Sequence, residues 1–213
     1  SGSGSLAHSL MGLEIAMDPN QDGNIEDHAD IISYSAGSPC KHNYGGYTSS
    51  CGPNDAISTA FNNAFEAGAV IVVSAGNEGE DGAATVASPG TAEKVITVGS
   101  VSKSDALSYF SSKGPVPLNG NDLIKPEVLA PGEDIIASIR GPALARASGT
   151  SFSNLFFLRD HHAAQPEIAE LVHQMRKLYE NPEQEPECLR AGQWHLPLIF
   201  AEDASQVQDL LFV

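Results

Sequence analysis

Three short runs of β-branched and apolar residues, 31–36, 70–75 and 94–101, constrain the fold of this chain most strongly. Between the first two lies the segment 56–68, whose apolar residues recur at helical spacing before a helix-stopping Gly68. Strand, helix and strand in this order predict a right-handed βαβ unit and a parallel sheet. The run at 70–75 is continuously apolar, which is typical of a strand covered on both faces. The predicted fold class is therefore α/β.

Charge excludes two classes of partner. The 213 residues contain 27 acidic and 11 basic side chains, a formal net charge of −16. Nucleic acids and anionic membrane surfaces are bound by clustered Lys and Arg, so we expect neither partner. No apolar run approaches the roughly 20 residues of a membrane span. The sequence opens with Ser-Gly-Ser-Gly-Ser and not with Met, so we expect it to be part of a longer polypeptide.

Cysteine usage leaves two alternatives open. Cys40 and Cys51 flank a loop rich in Gly, Tyr, Ser and Asn, and they could close it with a disulfide in an oxidising compartment. Two reduced loop thiols fit the sequence equally well. Cys188 has no obvious partner.

Four local motifs then follow one another in a defined order. Each alone is weak, since a Gly-Asn pair is ordinary turn chemistry. The four motifs are Ala29–Gly37 (ADIISYSAG), Ser74–Gly79 (SAGNEG), Ile124–Gly132 (IKPEVLAPG) and Ser148–Ser151 (SGTS). Together, in their order and spacing, they resemble the subtilisin-like serine proteases (subtilases), and Phe110–Pro115 adds a similar turn.

The resemblance implies a role for each part of the site. Ser151 would be the nucleophile at the start of a helix, and the amide of Asn77 would donate to the oxyanion. Such a donor lowers the barrier by about 3–4 kcal/mol. Ser35, Ala36 and Gly37 would line the primary pocket and bind an extended peptide substrate. Residues 1–151 would form a partial subtilase domain, a partial three-layer parallel sheet. By the same resemblance, the protein would be extracellular or attached to the cell surface.

Departures from the family pattern predict that this chain is inactive by itself. Subtilases supply their triad in the order Asp, His, Ser, and the first two motifs precede the region represented here. None of the seven histidines stands in a His-Gly-Thr context, and we interpret His8 and His28 as solvated side chains. A serine without a general base is a poor nucleophile. We therefore expect negligible peptidase activity unless the missing N-terminal half, a candidate partner, supplies the triad Asp and His.

An acidic loop carries a second hypothesis. Asp18, Asn20, Asp22 and Asn24 place oxygen ligands at alternate positions, with a glycine at the sixth, as in the first half of an EF-hand-type calcium loop. The bidentate Glu expected at the twelfth position is replaced by Ala29. The alternative is an acidic turn between a helix and a strand. Calcium binding is the prediction for this loop.

In the last part of the chain, 152–213, the alternation of strand and helix patterns ends. A strong amphipathic helix is predicted over 164–180. The pattern from Asn154 to Arg159, followed by Ala-Gln-Pro-Glu-Ile, resembles the C-terminal part of flavin-dependent thymidylate synthases. That resemblance implies a FAD contact for Asn154 and a dUMP contact for Arg159; the alternative is that Arg159 caps a hydrophobic turn. The upstream motif of such enzymes is absent, so we expect no synthase activity.

We therefore expect that two partial reading frames meet near Gly149–Asn154, because both candidate sites are incomplete. A truncated or recombined gene, or an assembly error, is the simplest origin. The expected product is a partial α/β sheet with a C-terminal helical appendage. Three functions compete: a serine endopeptidase fragment, a thymidylate synthase fragment, and an inactive module that captures peptides by strand addition.

Overall fold

The structure is a computed structural model that describes residues 4–139 and 143–162. This part of the chain contains four helices and eight strands, with short 3₁₀ turns at Ile25–Asp27 and Gly79–Asp81. The helices are α1 (Leu6–Met17), α2 (Cys40–Tyr44), α3 (Ala56–Ala67) and α4 (Thr150–His162). The strands are β1 (Ile31–Tyr34), β2 (Val70–Ser74), β3 (Ile96–Val101), β4 (Val116–Leu118), β5 (Asn121–Leu123), β6 (Val128–Pro131), β7 (Ile135–Ile139) and β8 (Ala143–Ala147).

A four-stranded parallel sheet in the order β1-β2-β3-β6 forms the centre. The three predicted apolar runs supply β1, β2 and β3, which confirms the predicted α/β class. The strands are shorter than the runs, because the chain leaves the sheet after Tyr34 and after Ser74. Those two departures are where the candidate site residues lie. The pairs β4–β5 and β7–β8 are separate antiparallel hairpins.

Helix α3 forms where the sequence predicts it. Asp55 caps the first turn by accepting the Ser58 backbone N–H at 2.8 Å. The helix ends at Gly68, whose φ of +122° favours glycine. Phe61 on its inner face is 1% exposed. The helix therefore buries its apolar stripe against the sheet.

Side-chain alternation along the strands separates two faces of the sheet. Tyr34, Ile71 and Val73 join α1 and α3 in one apolar core. Ser33 and Val72 have the opposite parity and belong to the other face. Helix α4 lies toward that other face, since the Asn154 amide reaches the Ser33 hydroxyl at 3.4 Å. Helices thus flank both sides of the sheet, as expected for a partial three-layer arrangement.

The predicted domain boundary lies within helix α4. Helix α4 runs continuously through residues 151 and 152, where the sequence predicts a change of domain. A first compact unit extends to Phe157, and a second begins at Leu158, of which 158–162 are described. The predicted helix at 164–180 and the rest of the synthase-like tail lie outside the described residues.

Of the two alternatives for the cysteines, the structure contains the disulfide. Cys40 and Cys51 are bonded, with their Cα atoms 5.3 Å apart, and they are 1% and 0% exposed. The bond closes the loop that follows the segment Ser35–Gly37. No helix among the described residues is long and apolar enough to cross a membrane.

Candidate active site

A pocket of about 100 Å³ opens at the carboxyl ends of β1 and β2, beside the start of α4. Ligand sites of open α/β sheets typically lie at this edge. The pocket brings together every residue that the subtilase resemblance assigns to catalysis and substrate binding. Its lining consists of Ser35, Ala36, Gly37, Pro39, Ser74, Gly76, Asn77, Glu78, Ala87, Thr150 and Ser151.

Ser151 is the second residue of α4 and is half-buried. Its Oγ donates a hydrogen bond to the Ser35 carbonyl at 3.2 Å. In return, the Ser35 hydroxyl donates to the Ser151 carbonyl at 3.4 Å. The candidate nucleophile is therefore held directly against the segment that the sequence assigns to substrate binding.

The orientation of the Asn77 amide follows from its contacts with Thr150. Asn77 Oδ1 accepts the Thr150 backbone N–H at 2.9 Å and the Thr150 hydroxyl at 3.1 Å. Because these two donors occupy the carbonyl end of the amide, the Nδ2 group forms its other end and is a donor. Asn77 is exposed to solvent and lines the same pocket as Ser151. This arrangement suits a side chain that donates to an oxyanion.

Gly76 permits the close approach of the strand end to its neighbours. Its φ is +106°, and a Cβ at this position would lie 2.7 Å from Glu78 Oε2 and 2.8 Å from Ser112 Oγ. The same Glu78 carboxylate oxygen accepts the Asn77 backbone N–H at 2.9 Å and the Ser112 hydroxyl at 3.1 Å. These hydrogen bonds of Glu78 and Ser112 hold the turn that carries Asn77.

The opposite wall is the segment Ser35–Gly37. A Cβ on Gly37 would lie 2.8 Å from the Ser88 carbonyl oxygen, so this position requires glycine. The next residue, Ser38, exchanges two backbone hydrogen bonds with Ser88, of 2.8 and 3.1 Å. Ala87, beside Ser88, is 4% exposed and completes the lining. Ala36, Gly37 and Ala87 have little or no side chain, so they leave space in the pocket.

Several contributors were not identified from the sequence. Thr150 orients Asn77, and its hydroxyl also accepts the Gly76 backbone N–H at 3.2 Å. Ala87 lines the pocket, and Ser88 exchanges backbone hydrogen bonds with Ser38. The Thr of the Gly-Thr-Ser motif was the one signal that could have indicated a role for Thr150. Nothing near Ala87 in the sequence marks it as a pocket residue.

Three histidines have described side chains, and none of them lines the pocket. His8 is exposed and exchanges the capping hydrogen bonds of α1 with Ser5. His28 is half-buried, and its Nδ1 lies 3.1 Å from the Ala29 carbonyl oxygen. His42 pairs with the Asp81 carboxylate at 2.5 Å. His161 and His162 lie in α4, but their side chains are outside the part that the structure describes. The source of a general base stays a prediction.

The acidic loop is organised by its own backbone. The Asp18 carboxylate accepts the N–H groups of Asp22 and Gly23 at 3.1 and 2.9 Å. Asn20 also accepts the Asp22 N–H. Asp22 accepts the Asn24 N–H, and Asn24 accepts the Glu26 N–H. Among the described residues, no group of three or more His, Cys, Asp or Glu side chains is arranged to hold a metal. Calcium binding by this loop stays a prediction, which isothermal titration with Ca²⁺ tests.

The two residues of the synthase-like pattern that are described lie in α4. Asn154 is 0% exposed, and its amide donates to atoms of β1. In this structure it presents no surface to a flavin. Arg159 lies in α4, but its side chain is outside the part that the structure describes. The predicted dUMP contact of Arg159 is therefore untested.

A parallel α/β sheet whose strand ends bring a Gly-Asn turn and a Gly-Thr-Ser helix start to one pocket defines the subtilisin-like class of serine proteases. The model of the subtilase family (peptidase S8) matches residues 2–154. The chain therefore belongs to the subtilase family. This match contains all the motifs from which the sequence predicted the relationship, and it ends three residues after Ser151.

Curated relatives support this assignment. The chain is 40% identical over 148 residues to the serine protease AprX of Bacillus subtilis (strain 168), which covers 66% of this chain and 31% of that protein. It is 34% identical over 157 residues to a subtilisin-like serine protease of Rhodotorula mucilaginosa, covering 72% and 39% of the two chains. It is also 34% identical over 139 residues to a thermophilic serine proteinase of Bacillus sp. (strain AK1), covering 65% and 31%. The chain thus spans about a third of the length of these relatives.

One solved structure supports the fold alone. The prenylagaramide maturation protease PagA superimposes with a TM-score of 0.53 at 22% identity, covering 74% of this chain and 48% of that protein. The predicted partial subtilisin-like fold is confirmed.

Proposed function

We propose that this chain forms the substrate pocket, oxyanion hole and nucleophile of a serine endopeptidase. Ser151 attacks the scissile carbonyl, and the Asn77 amide donates to the oxyanion. An extended peptide lies along Ser35–Gly37. The observation that carries the proposal is the convergence of Asn77, Ser151 and this segment on one pocket.

The proposed acylation step follows from these positions. Ser151 Oγ forms a bond to the carbonyl carbon, and the electron pair of the C=O bond moves onto the oxygen. The negative charge on that oxygen is stabilised by the Asn77 Nδ2–H, whose direction is fixed by Thr150. The hydroxyl proton passes to a base and then to the leaving amine. The resemblance to subtilases assigns this base to a histidine, and none of the seven histidines of this sequence stands in the His-Gly-Thr context of the family.

Without that base, the described site is equipped to bind and polarise a peptide but not to cleave it efficiently. Residual acceleration by an oxyanion hole and binding alone is about 10³–10⁴-fold over water. We therefore propose that the chain is inactive as a peptidase by itself and captures extended peptides at the same pocket. The exposed backbone of Ala36 and Gly37 at the pocket wall favours this mode of binding.

A peptide boronic acid tests the proposal without the missing base. Boron accepts the Ser151 oxygen, the hydroxyl proton leaves to solvent, and the tetrahedral adduct resembles the proposed intermediate. We expect an N-acetyl tetra-alanine boronic acid to bind more tightly than the matching carboxamide and to give a tetrahedral ¹¹B NMR signal. Ser151→Ala should abolish this preference. Asn77→Leu should reduce it by about 10²-fold, in line with the loss of one oxyanion donor.

Equal affinity for the boronic acid and the carboxamide, with no tetrahedral boron, would contradict the proposal. A preference that survives Ser151→Ala would place the adduct on another group and contradict it as well. The carboxamide also serves as the control for peptide capture, since it needs the pocket wall but no nucleophile.

We also propose that the protein works outside the cell or at its surface. The buried disulfide Cys40–Cys51 supports this location, because such bonds are rare in reducing compartments.

A further inference from the structure

Asn154 occupies an unusual place for a large polar side chain. It lies on α4, three residues after Ser151, so both side chains leave the helix on the same side. It is 0% exposed, so its polar amide is enclosed by the protein.

The amide of Asn154 reaches the end of β1. Its Nδ2 donates to the Ser35 hydroxyl at 3.0 Å and to the Tyr34 carbonyl at 3.1 Å. The Val72 carbonyl and the Ser33 hydroxyl are more distant, at 3.3 and 3.4 Å. An NH₂ group has two hydrogens, so the two shortest contacts account for both.

These contacts decide what the Ser35 hydroxyl does. Because Ser35 Oγ accepts from Asn154, its single proton is free to be donated to the Ser151 carbonyl, 3.4 Å away. The Ser151 hydroxyl in turn donates to the Ser35 carbonyl at 3.2 Å. The amide, the pocket wall and the nucleophile thus form one chain of hydrogen bonds.

Ser35 lies beyond the last paired residue of β1, since the register with β2 ends at Tyr34. The strand ladder therefore does not hold the pocket wall at this residue. The Ser38–Ser88 exchange fixes the far end of the wall. The bonds to α4 fix its near end, beside the nucleophile.

The carbonyl end of Asn154 argues against a simple packing role. Its Oδ1 is buried and has no hydrogen-bond partner among the described residues. A leucine would fill a similar volume without burying an unpaired oxygen, which is destabilising. An orphaned buried polar atom is expected where the rest of the group has a role other than filling space.

We propose that Asn154 is a positioning residue that acts through Ser35 to set the distance between the pocket wall and the Ser151 hydroxyl. The inference rests on the proposed function, because it assigns Asn154 to the same site. It predicts that Asn154 affects formation of the covalent adduct more than binding of the peptide. A purely structural role would instead change stability and leave the ratio of the two affinities unaltered.

Asn154→Leu tests this with the boronic acid and carboxamide of the same peptide. We expect the ratio of their affinities to fall roughly tenfold to a hundredfold, because small displacements of reacting groups have effects of that size. The melting temperature should change little, since the variant loses two hydrogen bonds but also the unpaired oxygen. The matched control is Ser153→Ala, which alters a neighbour that is also 0% exposed with an unpaired hydroxyl. The control should retain the wild-type ratio.

Ser35→Ala provides a second variant that leaves the buried core intact. It removes the hydroxyl through which Asn154 acts, so it should lower the ratio as Asn154→Leu does, and the double variant should lose little more. A folded Asn154→Leu protein with the wild-type ratio, or a Ser35→Ala protein with the wild-type ratio, overturns the inference. If the unmodified chain shows no preference for the boronic acid, the proposed function itself fails, so the two failures are distinguishable.

Discussion

At the scale of single residues, Lys125 is a charged group that the fold buries. Its side chain is 1% exposed, and Nζ donates to the Val95 carbonyl at 2.9 Å and to the Thr97 hydroxyl at 3.2 Å. Glu127 pairs with it at 2.5 Å. Burial lowers the pKa of Lys125 and raises the pKa of Glu127, while their mutual attraction opposes both shifts. The pair joins the approach to β6 to the neighbouring strand β3.

We predict that Glu127→Gln lowers the free energy of unfolding by about 3 kcal/mol at neutral pH, because it leaves a buried ammonium without its counter-charge. The glutamine oxygen can still accept the Thr97 backbone N–H, which Glu127 accepts at 2.8 Å, so the loss reports on the charge. Urea unfolding measures it. The control is Lys125→Met with Glu127→Gln, which removes both charges and should be less destabilised than Glu127→Gln alone.

The same variant should depend on pH in a defined direction. In Glu127→Gln the folded-state pKa of Lys125 lies below its unfolded value of about 10.4. The unfolded chain then binds more protons, so stability rises with pH toward that value and falls as pH decreases through the folded-state pKa. A Glu127→Gln protein whose unfolding free energy is the same at pH 7 and pH 10 would contradict this explanation.

Residue roles could be predicted only where a local motif carries them. Asn77 and Ser151 stand in short patterns, and the structure places both at the pocket. The partners that orient them are remote in sequence: Thr150 lies 73 residues from Asn77, and Asn154 lies 119 residues from Ser35. Hydrogen bonds over such separations leave no periodic or local signal, so they emerge only from the folded chain.

At the scale of secondary-structure elements, a buried carboxylate with several hydrogen bonds holds the start of α3. Asp55 is 4% exposed, and its two oxygens accept the Ser58 N–H, the Gly52 N–H and the Ser88 hydroxyl. One carboxylate therefore joins the helix to the residue after Cys51 and to the segment that carries the pocket wall.

We predict that Asp55→Ala destabilises the protein by about 3 kcal/mol, because it removes a helix cap and leaves two other buried donors unpaired. The control is Ser5→Ala at the exposed capping box of α1, for which about 1 kcal/mol is expected. Chemical denaturation of both variants compares them. Equal losses would show that the buried bonds of Asp55 contribute nothing beyond capping.

Element types were predictable where the periodicity was long. The apolar runs and the helical spacing at 56–68 predicted β1, β2, β3 and α3, and the structure contains them. The hairpin β7–β8 was not predicted, since Ile136 and Leu144 on its strands are exposed, at 63% and 68%, and give no buried stripe. Strand ends were also missed by one or two residues, because the chain turns out of the sheet to build the pocket.

At the scale of the whole molecule, the disulfide encloses the loop next to the pocket wall. We predict that Cys40→Ser with Cys51→Ser lowers stability by roughly 3 kcal/mol, the chain-entropy value for a loop of this length. Thermal melting with and without reductant provides the comparison. The unreduced wild type should melt highest, and reductant should not alter the double variant. A double variant as stable as the oxidised wild type would contradict this prediction.

The chain spans about a third of the length of its curated relatives. We predict no measurable turnover of casein or of a chromogenic peptide by this polypeptide, because none of its histidines stands in the His-Gly-Thr context of the family and none lines the pocket among the described side chains. Turnover that Ser151→Ala abolishes would show that a base is present and would overturn the prediction. Ser151→Ala is also the control for contaminating proteases.

The Asn77 amide and the Ser151 hydroxyl are proposed to act on one carbonyl group. A crystal structure of the tetra-alanine boronic acid complex measures this directly. We predict a tetrahedral boron bonded to Ser151 Oγ, with one boronate oxygen about 2.7–3.1 Å from Asn77 Nδ2. A boronic acid bound elsewhere, or a boronate whose oxygens all lie beyond hydrogen-bonding distance of Asn77, would contradict it.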